Sequence, residues 1–276
     1  MNFTDRLHQA ISNRNSLLCV GLDPDLKRIP ECVKSSPNPL LTFCTEIIAA
    51  TADIAAAYKI NFAFFEAEGV KGWEALEKLV GHIPQGTISI ADAKRADIGN
   101  SSERYAAAIL HNLGFDSVTV NPYLGRDSVA PFILAPEKGV FVLALTSNPG
   151  SYDFQHLQIN ARPLYMKVIQ EARRWNTRGN VGLVVGATQP NQLESVRNLA
   201  PDMPFLMPGI GAQGGSLEDA VKLGTDSSGG LALINASRSI IYKSSGSDFA
   251  DAARLEAESL NKQMNQFRED KTLRGA

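Results

Sequence analysis

Residues 88–106 read ISIADAKRADIGNSSERYA. An apolar run, Ile88–Ala91, meets two acids and two bases, Asp92, Lys94, Arg95 and Asp97, within six positions. Side chains two apart on a strand share a face. Ile88, Ile90, Asp92 and Lys94 therefore lie on one face, and Ser89, Ala91 and Ala93 on the other. The small residues suit packing against outer helices. Taken alone, the charges fit a surface salt bridge followed by a helix cap, Asn100 with Glu103. They fit equally an array of charges built at the end of a buried strand. The rest of the chain decides between the two.

Seven more apolar runs recur: Leu17–Leu22, Ala56–Phe62, Ser117–Val120, Val140–Leu145, Val181–Val185, Pro204–Met207 and Gly230–Ile234. With Thr87–Ala91 they read as short strands buried on both faces of a parallel sheet. The segments between them read as helices. Pro39–Ala55 is amphipathic, with Leu40, Phe43, Ile47 and Ile48 near helical spacing. Val70–Val80, Ser101–Leu113, Asp127–Ala135, Ala161–Trp175, Asn191–Leu199, Ser216–Leu223 and the long charged Asp248–Phe267 complete the set. Asn2–Ser12 adds a helix before the first strand. Eight strands alternating with helices predict an α/β fold, a TIM (β/α)8 barrel with an extra N-terminal helix, spanning 1–276 as one domain. A doubly wound sheet would place its glycine-rich turn early. Here the glycine-rich stretches come late.

Composition agrees. The 276 residues are 44% hydrophobic, enough for one large core, and the formal net charge is −2. Such a balance argues against a nucleic-acid partner, which needs a basic surface. No run of ~18 apolar residues predicts a membrane span. Met1–Arg14 has no signal-peptide core. Cys19, Cys32 and Cys44 are far apart and have no metal spacing, as expected of a reducing, cytoplasmic compartment. His8, His82, His111 and His156 fall away from the strand ends and lack metal-ligand spacing, so no metal is predicted.

Barrel chemistry collects at the C-terminal ends of strands. Those positions are polar: Asp23 after the first strand, Lys59 and Asn61 on the second, Asp92 and Lys94 on the third, and Thr146-Ser147-Asn148 after the fifth. The seventh ends in Pro208–Gly215 and the eighth in Asn235-Ala236-Ser237-Arg238. One polar strand end means little; six together favour a built site. Glycine-rich turns expose backbone N–H groups to an anion. With Gln213 and Arg238 nearby, the late turns read as a phosphate site.

These residues resemble the orotidine 5'-phosphate decarboxylase family. The family pattern Asp-x-Lys-x-x-Asp stands as Asp92-Ala93-Lys94-Arg95-Ala96-Asp97. The likeness extends to GLDPD (21–25), YKINFAFFEAEG (58–69), LTSNPG (145–150), PGIGAQGG (208–215) and NASRSIIY (235–242). The FFEAEG form, the extra helix and the length are similar to the longer bacterial-type subgroup. The resemblance implies decarboxylation of orotidine 5'-phosphate to UMP without a cofactor, in a homodimer. It implies an alternating array of Lys59, Asp92, Lys94 and Asp97, the last from the other subunit. Lys94 protonates C6 of the pyrimidine in this scheme, and Asp92 holds Lys94. Asp23 and Asp97 bind ribose hydroxyls, with Ser101 helping across the interface. Ser147 meets the pyrimidine, and Gln213 and Arg238 hold the phosphate. Shorter members place glycine before the arginine; here it is Ser237. The Pro-rich insert Asp25–Asn38 has no implied role.

Three other chemistries suit such a barrel. A metal-dependent sugar-phosphate decarboxylase or synthase needs further acids near the second strand, for which Glu66 and Glu68 are the candidates. A Schiff-base aldolase would use Lys59 or Lys94 as nucleophile, but acids beside Lys94 favour its charged form. A non-catalytic phosphoribosyl-binding barrel would not need the charge array.

Overall fold

The short apolar runs become eight parallel strands that close on themselves. They are β1 (Leu18–Leu22), β2 (Ala57–Asn61), β3 (Ile88–Arg95), β4 (Ser117–Val120), β5 (Gly139–Leu145), β6 (Val181–Val185), β7 (Phe205–Met207) and β8 (Ala232–Ala236). Each strand pairs with its neighbours in sequence, and β8 returns to β1 with Cys19 beside Asn235. The computed structural model describes residues 1–186, 190–210 and 215–275, with side chains through 271. The strands are mostly apolar, and nearly every position is buried. That suits a sheet covered outside by helices and filled inside by its own side chains.

Helices cover the outside: α1 (Phe3–Arg14), α2 (Pro39–Thr51), α3 (Gly69–Val80), α4 (Gly99–Ala106), α5 (Leu164–Trp175), α6 (Pro190–Leu199), α7 (Leu217–Gly224) and α8 (Phe249–Gly275). Local sequence explains their starts. Asn38 caps α2 by accepting from the Leu41 N–H, and Pro39 begins the helix where its missing donor is harmless. Leu40, Phe43, Ile47 and Ile48 all turn inward. In α1, Asn2 and Asp5 form a reciprocal capping box. Phe3 is fully buried, edge-on to Phe141 at 5.8 Å between centroids. Its ring lies where a Cβ on Gly139 would sit, so the glycine makes the docking possible. Arg6 adds a bond to Asp116 on the rim below the barrel.

At the same N-terminal end, Arg197 of α6 gathers the later strands. Its buried guanidinium donates to the carbonyls of Ala200, Met203, Gly224 and Leu231 and lies 3.4 Å from the Phe205 ring centroid. One side chain thereby ties the starts of β7 and β8 to the ends of α6 and α7.

Several expectations need correction. β3 runs on to Arg95, past the predicted end at Ala91, because its pairing with β4 slips between Ala91 and Arg95. Lys94 sits in this irregularity with a left-handed backbone, φ +46°. The Asn100–Glu103 cap does not form. α4 starts at Gly99 with Ile98 at its cap, which places Asn100 inside the first turn. The predicted helix over 101–113 changes after Ala106 into a wider π-helical turn, Ala107–Asn112. A short helix, Phe62–Glu66, follows β2 directly where strand was expected at Phe62. The Pro-rich insert carries one helical turn, Glu31–Lys34. Among the described residues, no helix is long and apolar enough to cross a membrane.

Candidate active site

The barrel brings the C-terminal strand ends into one ring. Register sets the neighbours: Gly21 lies beside Lys59, and Asn61 beside Asp92. Lys59, Asn61, Asp92, Lys94 and Thr119 line one side of a cavity of ≈ 320 Å³. Leu143, Val184 and Leu206 form its apolar floor. Asp23, Ser147, Asn235, Ser237 and Arg238 complete the rim. The size and the mix of apolar floor and convergent polar groups fit a small-molecule site.

Asp92 is the hub. Its Oδ2 accepts from Lys59 Nζ at 2.8 Å, and its Oδ1 accepts from Lys94 Nζ at 2.6 Å. Thr119 Oγ1 donates to the same Oδ1 at 3.0 Å and accepts from the Lys94 backbone N–H at 3.0 Å. The hydroxyl thus fixes both the acid and the unusual backbone that carries the lysine. Lys59 is also 3.7 Å from Asp23 Oδ1, and Ser237 Oγ donates to Asp23 Oδ2 at 2.7 Å.

Burial and charge compete at these groups. Burial alone would raise the Asp92 carboxyl, but Lys59 and Lys94 together hold it well below the usual carboxylate range. Burial would lower the Lys59 ammonium, but Asp92 and Asp23 hold it above the usual lysine value. Both stay ionised at neutral pH. Lys59 is enclosed, whereas the Lys94 side chain is about half exposed (52%) to the cavity mouth. The arrangement offers a positioned donor backed by a fixed negative charge.

The structure gathers six of the residues chosen from sequence: Asp23, Lys59, Asp92, Lys94, Ser147 and Arg238. Asp97 and Ser101 lie elsewhere. They line a separate surface depression with Asn100, Arg104 and Tyr105. Gln213 lies outside the described residues, as do Gly211, Ala212 and Gly214 of the same turn. Glu66 pairs with Arg95 and is not part of the cavity wall. Among the described residues, no three His, Cys, Asp or Glu side chains are grouped to hold a metal ion. Thr119 was missed from sequence. A hydroxyl one position from the end of β4, on the same face as Ser117, was its only signal.

The profile of the orotidine 5'-phosphate decarboxylase / HUMPS family matches residues 16–253. The chain belongs to this family. A relative from Dehalococcoides mccartyi strain 195, "Orotidine 5'-phosphate decarboxylase", is 51% identical over 97% of this chain and 99% of its own length. Among solved structures, an orotidine-monophosphate-decarboxylase from Toxoplasma gondii, titled putative, has a TM-score of 0.90 at 36% identity, covering 99% of both chains. Leishmania donovani OMP decarboxylase has a TM-score of 0.86 at 40% identity, covering 97% of this chain and 99% of that one. The chain spans only 57% of Leishmania donovani UMP synthase, with a TM-score of 0.87 at 41% identity. Family membership agrees with the closed barrel, its N-terminal helix and the residues at its rim.

Proposed function

We propose that this chain decarboxylates orotidine 5'-phosphate to UMP and CO2. The observation that carries the reading is Asp92 clamped between Lys59 and Lys94 at the open end of a family barrel, with Arg238 on the same rim. Arg238 grips the phosphate, a task suited to a forked guanidinium. Gln213 assists it, and Ser147 meets the pyrimidine. The C6–carboxylate bond breaks, and its electron pair stays on C6. Lys94 Nζ–H delivers the proton there, and the lysine is reprotonated from solvent. Asp92 faces the departing carboxylate and keeps Lys94 aimed. A fixed cation beside the reacting carbon stabilises charge as it develops, without reorganisation. The phosphate grip supplies binding energy for orientation at the distant reacting end.

The active form is a homodimer. Asp97 and Ser101 lie apart from the cavity on their own chain, on a surface depression. That position supports their reaching the ribose of the other subunit's site. Neither cofactor nor metal takes part in this scheme.

The test is loss of orotidine 5'-phosphate absorbance in excess EDTA, with wild type beside Lys94→Ala. Wild type turns over, and the variant falls by at least ~1,000-fold in kcat/KM while remaining folded. Inert, well-folded wild type sinks the reading. Activity that needs magnesium and a sugar phosphate instead supports the metal-dependent branch of the same family.

A further inference from the structure

Asp23 is held by a segment from the far end of the chain. Ser237 donates to its Oδ2 at 2.7 Å. The Tyr242 hydroxyl donates to its backbone carbonyl at 3.1 Å and accepts from the Asp25 N–H at 2.6 Å. Tyr242 is itself fixed, with Arg28 4.0 Å over its ring and Phe43 stacked 5.8 Å away. Residues 237–242 therefore grip both the side chain and the backbone of Asp23, and Arg238 belongs to the same segment. The insert after β1 is a strut in this grip through Asp25 and Arg28.

The other Asp23 oxygen is different. Oδ1 is buried and, among the described residues, accepts no hydrogen bond. Lys59 Nζ is 3.7 Å away, too far for one. A buried carboxylate oxygen without a donor is costly unless a ligand supplies the donor. Without the serine, the carboxylate is free to turn and close on Lys59. That closure would quench the acceptor and draw Lys59 from its 2.8 Å bond to Asp92. The contact depends on Gly21, because a Cβ there would lie 2.7 Å from Ser237 Cβ.

We infer that Ser237 is a positioning residue: it turns Asp23 so that Oδ1 is kept open for a sugar hydroxyl of the ligand. The inference rests on the nucleotide reading above. A site built to accept from a hydroxyl rejects the analogue that lacks it. The full chain is titrated calorimetrically with UMP, 2'-deoxy-UMP and 3'-deoxy-UMP, as wild type, Ser237→Ala and Ser237→Gly. Wild type prefers UMP over at least one deoxy analogue. Both variants lose ~10-fold of that preference, the scale of one hydrogen bond to a charged group. They bind that analogue as wild type does. A merely structural serine would weaken all three ligands together. An unchanged preference in either folded variant overturns the inference, as does wild type that binds UMP without discrimination. Wild type that binds no UMP overturns the nucleotide reading itself, and the inference with it.

Discussion

At Asp92 one carboxylate serves three donors, from Lys59, Lys94 and Thr119. Among the described residues, removing it leaves the enclosed Lys59 with Asp23, 3.7 Å away, as its one acidic partner. Breaking a buried pair from one side costs about 3 kcal/mol or more, so Asp92→Ala unfolds at clearly lower urea concentration than wild type. The pH dependence has a defined sign. In wild type the folded Lys59 value is raised, so its contribution is intact below the ordinary lysine range and is lost only as pH climbs through the folded value. In the variant, burial acts with little opposition and the folded value falls below the unfolded one. The unfolded state then binds more protons, and stability rises with pH. The deficit of Asp92→Ala therefore narrows between about pH 8 and 10. Urea midpoints across that range check it, and a deficit that widens refutes it.

At the scale of elements, α1 and β3 act at opposite ends of the barrel. α1 seals the N-terminal end through Phe3, seated on Gly139 and Phe141. Phe3→Ala is expected to cost ~3–5 kcal/mol in unfolding free energy while kcat stays near wild type, because the chemistry lies at the other end. A large fall in kcat with little loss of stability would contradict this division. The elements were also where sequence reading worked best and failed most instructively. Short continuous apolar runs located all eight strands, since a strand buried on both faces admits few polar residues. The β3 irregularity was not legible. It depends on the slip against β4 and on a hydroxyl from Thr119, both set by tertiary pairing. The Asn100–Glu103 cap looked sound locally, yet Gly99 adopts φ +52° and starts the helix earlier. Rim residues such as Asp23 and Arg238 were found because charge at an apolar strand's end has few bland explanations. The Ser237–Asp23 bond spans 214 positions and needed the closed barrel to be seen.

For the whole molecule, closure turns six scattered strand ends into one cavity but leaves Asp97 and Ser101 outside it. If the site is completed by a second subunit, two inactive variants should rescue each other. Lys94→Ala and Asp97→Ala, mixed equally after unfolding and refolding together, form mixed dimers in which one site holds an intact Lys94 and an intact partner Asp97. Random pairing returns about a quarter of wild-type activity. No rescue, with mixed dimers demonstrated, removes Asp97 from the partner's site. The fold also sets a conflict at the lysine that faces the cavity mouth. A non-glycine residue in left-handed backbone costs of order 1–3 kcal/mol, and Lys94 bears that cost near the C-terminal end of β3. Folding alone would favour glycine there, while the proposed chemistry needs the ammonium. A lineage selected only for heat resistance would drift toward discarding this lysine. A lysine at this position is what selection for turnover over durability would leave, if the proposed chemistry holds.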